Sequence, residues 1–262
     1  MATSFEYARQ ARTYDATRAA SPSVLAPLRA GLGAVGGGRL LDVGGGTGNY
    51  AVALGDDGWR PVVVDRSADM LATAAAKGLA TCRADAAALP AADASVDAVT
   101  LISMLHHVPD WRDALAEARR VVRPGGVVAF LGFAREHLEA HGVERYFPTT
   151  MAHFAAGHQT RAELLEALPG AVERPVFYTD VVDGSLAALA RRPELLLDAD
   201  VRRQTSFVEW AATNCPDELD HGTEELAADL AVGLRPQDDR PELRLAIGDA
   251  LVLAWHRPDD DA

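Results

Sequence analysis

The stretch Leu40-Leu41-Asp42-Val43-Gly44-Gly45-Gly46-Thr47-Gly48-Asn49-Tyr50 decides the fold. Its first half is a short apolar run of the length and composition of a buried strand, and its second half is a glycine turn opening into a helical pattern. Glycine at a strand-to-helix turn permits positive φ and lets backbone approach a ligand with no Cβ in the way. A dinucleotide loop would carry GxGxxG. Counted from Gly44 the sixth position is Asn49, and the spacing is GxGxG through Gly44, Gly46 and Gly48.

Outward from this loop the chain alternates short apolar runs with helical stretches, the pattern of a largely parallel sheet covered on both faces. Strands are predicted at Arg39 to Val43, Pro61 to Asp65, Leu79 to Arg83, Asp97 to Ile102 and Gly126 to Phe133, with helices starting near Thr47, Ser67 and Pro109. Upstream, Phe5, Ala8, Ala11 and Tyr14 fall at helical spacing, and Ser21-Pro22 opens a second helix through Leu32. Downstream, Thr160 and Glu163 form a capping box, a strand is predicted from Val172 to Val182, and residues 185 to 234 read as polar helices. That block has a second capping-box spacing at Ser206 to Glu209 and a break at Cys215-Pro216. A final strand, Asp249 to His256, precedes the acidic Asp259 to Asp261.

The expected architecture is α/β: a Rossmann-like, seven-stranded, mostly parallel sheet with N-terminal cap helices and a helical lid inserted before the last strand. Residues 1–35 are expected to cap a cofactor site, 36–135 to form the binding core, and 136–262 to complete the sheet and carry the lid at about 184–246.

Composition narrows the function. The chain has 262 residues, 25 Lys+Arg against 38 Asp+Glu and a formal charge of -13. Affinity for nucleic acid comes mainly from cations that replace counterions on phosphate, so a polyanionic partner is not expected. Cys82 and Cys215 form no CxxC pair, and no apolar run is long enough to span a bilayer, so a cytoplasmic protein without a membrane partner is expected. One lysine, Lys77, among abundant Ala, Arg and Gly suggests a GC-rich bacterial genome.

The glycine spacing and the segments downstream of it resemble the class I S-adenosylmethionine (SAM) methyltransferases. Pro61-Val62-Val63-Val64-Asp65 resembles the family's second strand, whose terminal acid takes both ribose hydroxyls; capping of the following helix is the alternative use of Asp65. Arg83-Ala84-Asp85-Ala86-Ala87-Ala88-Leu89-Pro90 resembles the adenine-binding segment, giving Asp85 and Ala86 those contacts, with Met70 against the base. Asp42, Arg66 and Ser103 complete the cofactor residues that the resemblance implies. Ser95 to Trp111, with Leu105-His106-His107-Val108-Pro109-Asp110-Trp111, and Ala114 to Gly126, with Arg123-Pro124-Gly125-Gly126, look most like the small-molecule and quinone (UbiE-like) branch. In that branch a segment like Tyr14-Asp15-Ala16-Thr17-Arg18 folds over the cofactor, so Tyr14 or Arg18 is expected at the SAM carboxylate.

The resemblance implies in-line SN2 transfer from SAM to oxygen or carbon of a small organic acceptor such as a secondary metabolite, leaving S-adenosylhomocysteine. Quinone C-methylation, and SAM binding without transfer by a sensor, scaffold or cyclase-like protein, are the alternatives. The sulfonium is already activated, so the chain's task is to orient a nucleophile and, for a hydroxyl, to take its proton. His106 and His107, just past the fourth strand, are the candidate bases. Tyr146, Phe147, Phe154, His158, Trp210 and His107 are expected to line the acceptor pocket, with His153, Phe177, Tyr178 and Phe207 as further candidates. His137 and His141 are four apart but lack the HExxH order, and no paired acidic site occurs, so no metal is expected. A monomer or homodimer is expected.

Overall fold

A computed structural model describes residues 20–33, 38–180, 186–202 and 205–259. A seven-stranded sheet runs in the order β3-β2-β1-β4-β5-β7-β6. Its strands are β1 (Arg39–Val43), β2 (Arg60–Asp65), β3 (Ala80–Arg83), β4 (Val96–Ile102), β5 (Val122–Gly132), β6 (Val172–Val176) and β7 (Ala250–His256). All neighbours through β5 pair in parallel, and β7 runs antiparallel between β5 and β6. The chain order reverses between β1 and β4, and in open α/β sheets ligands bind at the carboxyl ends of the strands at such a switch.

Two apolar layers cover the sheet. On one face lie Leu115, Val99, Leu101, Phe130 and Leu164, and on the other Leu28, Leu40, Leu54, Val127 and Val252. The helices up to the lid are α1 (Pro22–Leu32), α2 (Asn49–Asp56), α3 (Ala68–Ala76), α4 (Trp111–Val121), α5 (Arg135–Ala140), α6 (Pro148–Gly157) and α7 (Arg161–Ala167), of which α1, α2, α4 and α7 supply these layers. Fully burying one such leucine contributes about 1.5–3 kcal/mol.

Helix α1 is part of this layer and not a cap on the glycine loop. Gly31 sits so close to β7 that a Cβ there would lie 3.2 Å from both Ala254 and Val252. Its N-terminus is nevertheless at the carboxyl end of the sheet, because the Ser21 hydroxyl donates to Asp180, just beyond β6. The expected helix over residues 4–18 lies outside the described residues.

The insertion before β7 contains α8 (Leu186–Arg191), α9 (Ala199–Arg202), α10 (Ser206–Asn214), α11 (Pro216–Ala231) and α12 (Pro241–Ile247). With α5 and α6 it builds a third apolar core from Leu138, Tyr146, Phe147, Met151, Leu196, Phe207 and Leu226. Two expectations are corrected here. Strand β6 ends at Val176 and not at Val182, because the next backbone donors leave the ladder: the Tyr178 N–H donates to the Asp249 carboxylate at 2.8 Å. The Ser206–Glu209 box does not form, since Ser206 is already the first helical residue and the N-cap is Thr205, whose hydroxyl turns back to Val201 and Arg202 carbonyls. The Thr160–Glu163 box forms as expected.

Asp249 anchors the lid to the sheet. It is 1% exposed, and Arg244 of α12 holds it through two bonds at 2.5 and 2.9 Å. Breaking a buried pair strands the remaining charge. Asp249→Ala is therefore expected to cost about 3–5 kcal/mol of stability, read as a lowered midpoint in thermal or urea unfolding.

Candidate functional site

The loop after β1 is held in shape by its own backbone and two carboxylates. Gly44, Gly46 and Gly48 have φ of 66°, 56° and 79°. The Gly44 N–H donates to Val64 O at 2.7 Å, tying the ends of β1 and β2 together. The left-handed Gly48 is the N-cap of α2, which delays the helix from Thr47 to Asn49. A Cβ at Gly48 would clash with the Leu79 side chain, whereas a Cβ at Gly46 would meet only the Met70 Sδ at 3.9 Å. Gly48 is thus glycine for packing, and Gly46 leaves open space over the loop.

Asp65 at the end of β2 accepts from the Gly46 N–H at 3.0 Å and the Ser67 N–H at 2.8 Å. Ser67, not Asp65, caps α3, by accepting from Met70 N. Each Asp65 oxygen keeps a lone pair for a ligand hydroxyl. Asp42 is buried at 1% exposure and accepts from the Thr100 hydroxyl at 2.8 Å. Burial raises its pKa to about 6, the Thr100 bond opposes that, and the neighbouring Asp65 charge adds to it.

The remaining cofactor candidates differ in their surroundings. Met70 is buried against it. Asp85 is exposed, and its Oδ1 turns back to the Ala87 N–H, with Ala86 half-buried beside it. Arg66 is exposed, and its carbonyl accepts from the Arg83 guanidinium. Ser103, past β4, is exposed with a left-handed φ of 49°, and its N–H donates to Leu131 O. Tyr14 and Arg18 lie outside the described residues.

A SAM-shaped ligand fits this donor and acceptor set. The Thr47 hydroxyl is buried without a protein partner among the described residues, and the Gly46 face is open beside it. A nucleoside needs such a glycine floor, with a carboxylate at its edge. Thr47, Thr100 and Met104, whose side chain would block a Cβ at Gly44 within 2.8 Å, were not singled out by sequence. Thr47 lies inside the motif and its hydroxyl was the available signal; Met104 gave none.

Histidines collect beyond β4. The 3-10 turn Leu105–His107 places His106 and His107 at the carboxyl end of the sheet, with ring centroids 3.9 Å apart. His158, the C-cap of α6, stacks on His106 at 4.4 Å with planes 12° apart. The His107 ring is exposed, yet desolvation by the surrounding protein, followed by the His158 and Arg66 charges, lowers its pKa. His137 and His141 are buried and structural: their Nε2 atoms meet the carbonyls of Ile247 and Asp249, holding α5 to the end of the lid. No group of three or more His, Cys, Asp or Glu among the described residues could hold a metal ion.

The expected pocket aromatics divide. Tyr146 and Phe147 are lid core, 3% and 1% exposed, with the Tyr146 hydroxyl donating to Asp229 and the Phe147 ring edge-on to Phe207. Their apolar surface is used up inside the lid. Phe207 is buried there too, and Arg244 stacks on Phe177. Phe154 is half-buried against Trp210, and Trp210 stacks on the exposed His153 at 4.0 Å. His158, Phe154 and Trp210 therefore remain as wall candidates, on one run from the sheet end to the lid.

Residues 41–130 match a family model described as a methyltransferase domain. Over that segment the chain is similar to the methyltransferases. Among curated relatives, a ubiquinone/menaquinone biosynthesis C-methyltransferase of Paracoccus denitrificans is 43% identical over 109 residues, 38% of this chain and 44% of that protein. A demethylmenaquinone methyltransferase of Mycolicibacterium paratuberculosis is 40% identical over 106 residues, 40% of this chain and 46% of the relative. The chain thus spans less than half the length of these relatives. Among solved structures, a protein of Anabaena variabilis described as a methyltransferase from an antibiotic biosynthesis pathway is 27% identical, with a TM-score of 0.69 over 84% of this chain and 91% of that one. The methyltransferase solved with the Trm112 activator of Haloferax volcanii shares the fold, at 19% identity and a TM-score of 0.60 over 98% of this chain and 100% of its own.

Two outcomes test this domain's site. Asp65→Ala is expected to weaken SAM binding by about 1–3 kcal/mol through loss of charged hydrogen bonds, measured by calorimetry. Asp42 has a folded pKa above its unfolded value, so the stability given by its protonated form is full below about pH 3.8 and is lost as pH rises through about 6. Asp42→Asn removes that loss: its unfolding free energy without ligand, measured by urea unfolding, should exceed that of wild type at pH 7.5 by on the order of 1–3 kcal/mol, with the gain vanishing toward pH 4.

Proposed function

We propose that the chain is a methyltransferase that moves the SAM methyl group to a small organic acceptor, a natural product or other secondary metabolite, at oxygen or carbon. The observation that carries this reading is the open Gly46 floor, with the Asp65 carboxylate and the buried Thr47 hydroxyl, at the β1–β4 switch point. Bound there, SAM would supply an activated electrophilic methyl group. The chain's part is to fix an acceptor over it and keep water out. A lid with a hydrophobic core of its own supports closure of that space, since it can pack without drawing on the sheet's two layers. The domain boundaries proposed are a SAM-binding core at 36–135 and a lid at about 184–246 within 136–262.

Asp65 and Asp42 are proposed to hold the nucleoside end, with Gly44, Gly46, Gly48, Met70, Asp85 and Ala86 around it. Arg66 and Ser103 are proposed to border the same recess. The acceptor side is formed by His106, His107, His158, Phe154 and Trp210. The net charge of -13 supports a small-molecule acceptor over a nucleic acid. No helix among the described residues is long and apolar enough to cross a membrane.

Quinone C-methylation is the second reading, favoured by the names of the relatives that share the core segment. The likeness covers that core, whereas the acceptor-facing residues from Phe154 to Trp210 lie beyond the 41–130 match. Incubation with methyl-labelled SAM and a panel of phenols, naphthols, enols and demethylated quinols tests both. Label on an oxygen or carbon of a panel member is the expected result. Tight SAM binding with no transfer to any acceptor, including a host extract, would point to a SAM-binding protein that does not methylate.

A further inference from the structure

In the ring cluster of His106, His107 and His158, a bond to a backbone carbonyl sets the tautomer of His158. Its Nδ1 lies 2.7 Å from the Phe154 carbonyl oxygen, which can only accept, so Nδ1 carries the hydrogen. Nε2 is then the nitrogen with the free lone pair, and among the described residues nothing bonds to it. The ring is 6% exposed and cannot swing away, because one face stacks on His106 and Phe133 lies 6.4 Å off at a tilt. Its backbone is fixed as well. Arg135 donates from Nε to Ala155 O and from Nη2 to His158 O, clamping the last turn of α6, and Gly157 approaches the His106 carbonyl.

A buried imidazole with an unprotonated, unpaired nitrogen, held beside the glycine-loop end of β4, is suited to receive a proton from a hydroxyl placed there. We infer that His158 Nε2, and not His106 or His107, takes the acceptor's proton, and that the acceptor is therefore a phenol or enol methylated on oxygen. This rests on the methyl-transfer reading above. The acceptor oxygen forms a bond to the methyl carbon as the carbon–sulfur bond breaks, and the sulfur keeps that electron pair. The hydroxyl proton passes to Nε2, giving an imidazolium that returns it to solvent after product leaves. His106 serves as the platform that orients the ring.

The surroundings keep His158 in its accepting form. Burial is the main cause that lowers its pKa, the Phe154 bond opposes it, and Arg135 and His137 lower it further. Facing or near it are His106 and His107 from the turn after β4, and Arg135, His137 and His141 from α5 and its C-cap. Most of these are cationic or become so in acid, which opposes a positive charge on the ring.

Two measurements on the full chain test the inference. The first is the long-range 15N–1H spectrum of histidine-labelled protein with S-adenosylhomocysteine, with His158 identified by its loss in His158→Asn. An Nδ1–H tautomer with unprotonated Nε2 is expected at pH 7, and an Nε2–H tautomer would overturn the inference. The second compares wild type, His158→Asn, His106→Asn and His107→Asn on phenols and naphthols of graded acidity and on a demethylated quinol. Asn can keep the donor to Phe154 O. His158→Asn should lower kcat by about 10²- to 10⁴-fold on weakly acidic hydroxyls, less on acidic ones, with SAM affinity within about twofold of wild type. A loss independent of acceptor acidity, the acidity dependence appearing in His106→Asn or His107→Asn instead, transfer to carbon only, or no transfer to any hydroxyl would each overturn it. Failure of wild type to bind SAM would instead overturn the methyl-transfer reading.

Discussion

The bond from the Gly46 N–H to the Asp65 carboxylate is the contact on which the site depends. It joins the loop after β1 to the end of β2, and with Gly44 N–H on Val64 O it fixes the loop's height above the sheet. Three left-handed glycines make that path possible, and other L-residues would be strained at each. The same carboxylate that holds the loop is the one proposed to meet a ribose, so in that proposal loop shape and ligand affinity share a single group. Asp42 beneath it carries a cost of burial that a cationic ligand nearby would offset, the opposite of a residue chosen for stability alone.

The second constraint is the way the lid returns to the sheet. Arg244 and Asp249 bring α12 back to the start of β7, and His137 and His141 hold α5 to the same segment through the carbonyls of Ile247 and Asp249. That frame sets where α6 ends. Its last turn docks on the β4 turn, and the stacked pair His106 and His158 is the result. The lid's apolar core thereby helps fix where the His158 ring sits.

The fold was legible in the sequence where periodicity and turn chemistry agreed. The run Leu40 to Tyr50 carries strand, glycine turn and helix in one segment, and the strands after it end where acidic or polar residues follow apolar runs. The strand predicted through Val182 was too long because Val181 and Val182 continue the apolar composition, while the Asp249 carboxylate that draws off the Tyr178 N–H is 71 residues away. The Ser206 box misled for a similar reason: the spacing is right, but the helix begins one residue early, at Thr205 as its cap. The shape of the glycine turn was legible because its contacts are local to the strand ends. The acceptor side was not. Tyr146 and Phe147 have the composition of a pocket wall and the packing of a core, a difference decided by α10 and α11 far along the chain. His158 was visible only as a histidine before a capping box, and its fixed tautomer depends on a carbonyl that sequence cannot orient.

A nucleoside-binding floor at Gly46 bordered by Asp65 is the central claim, and a crystal structure of the full chain with S-adenosylhomocysteine tests it most directly. The expected result is the ribose within hydrogen-bond reach of both Asp65 oxygens, the amino-acid end near Thr47, and the sulfur on the side of His158. A ligand bound elsewhere, or one that leaves Asp65 bonded only to its own backbone neighbours, would contradict it.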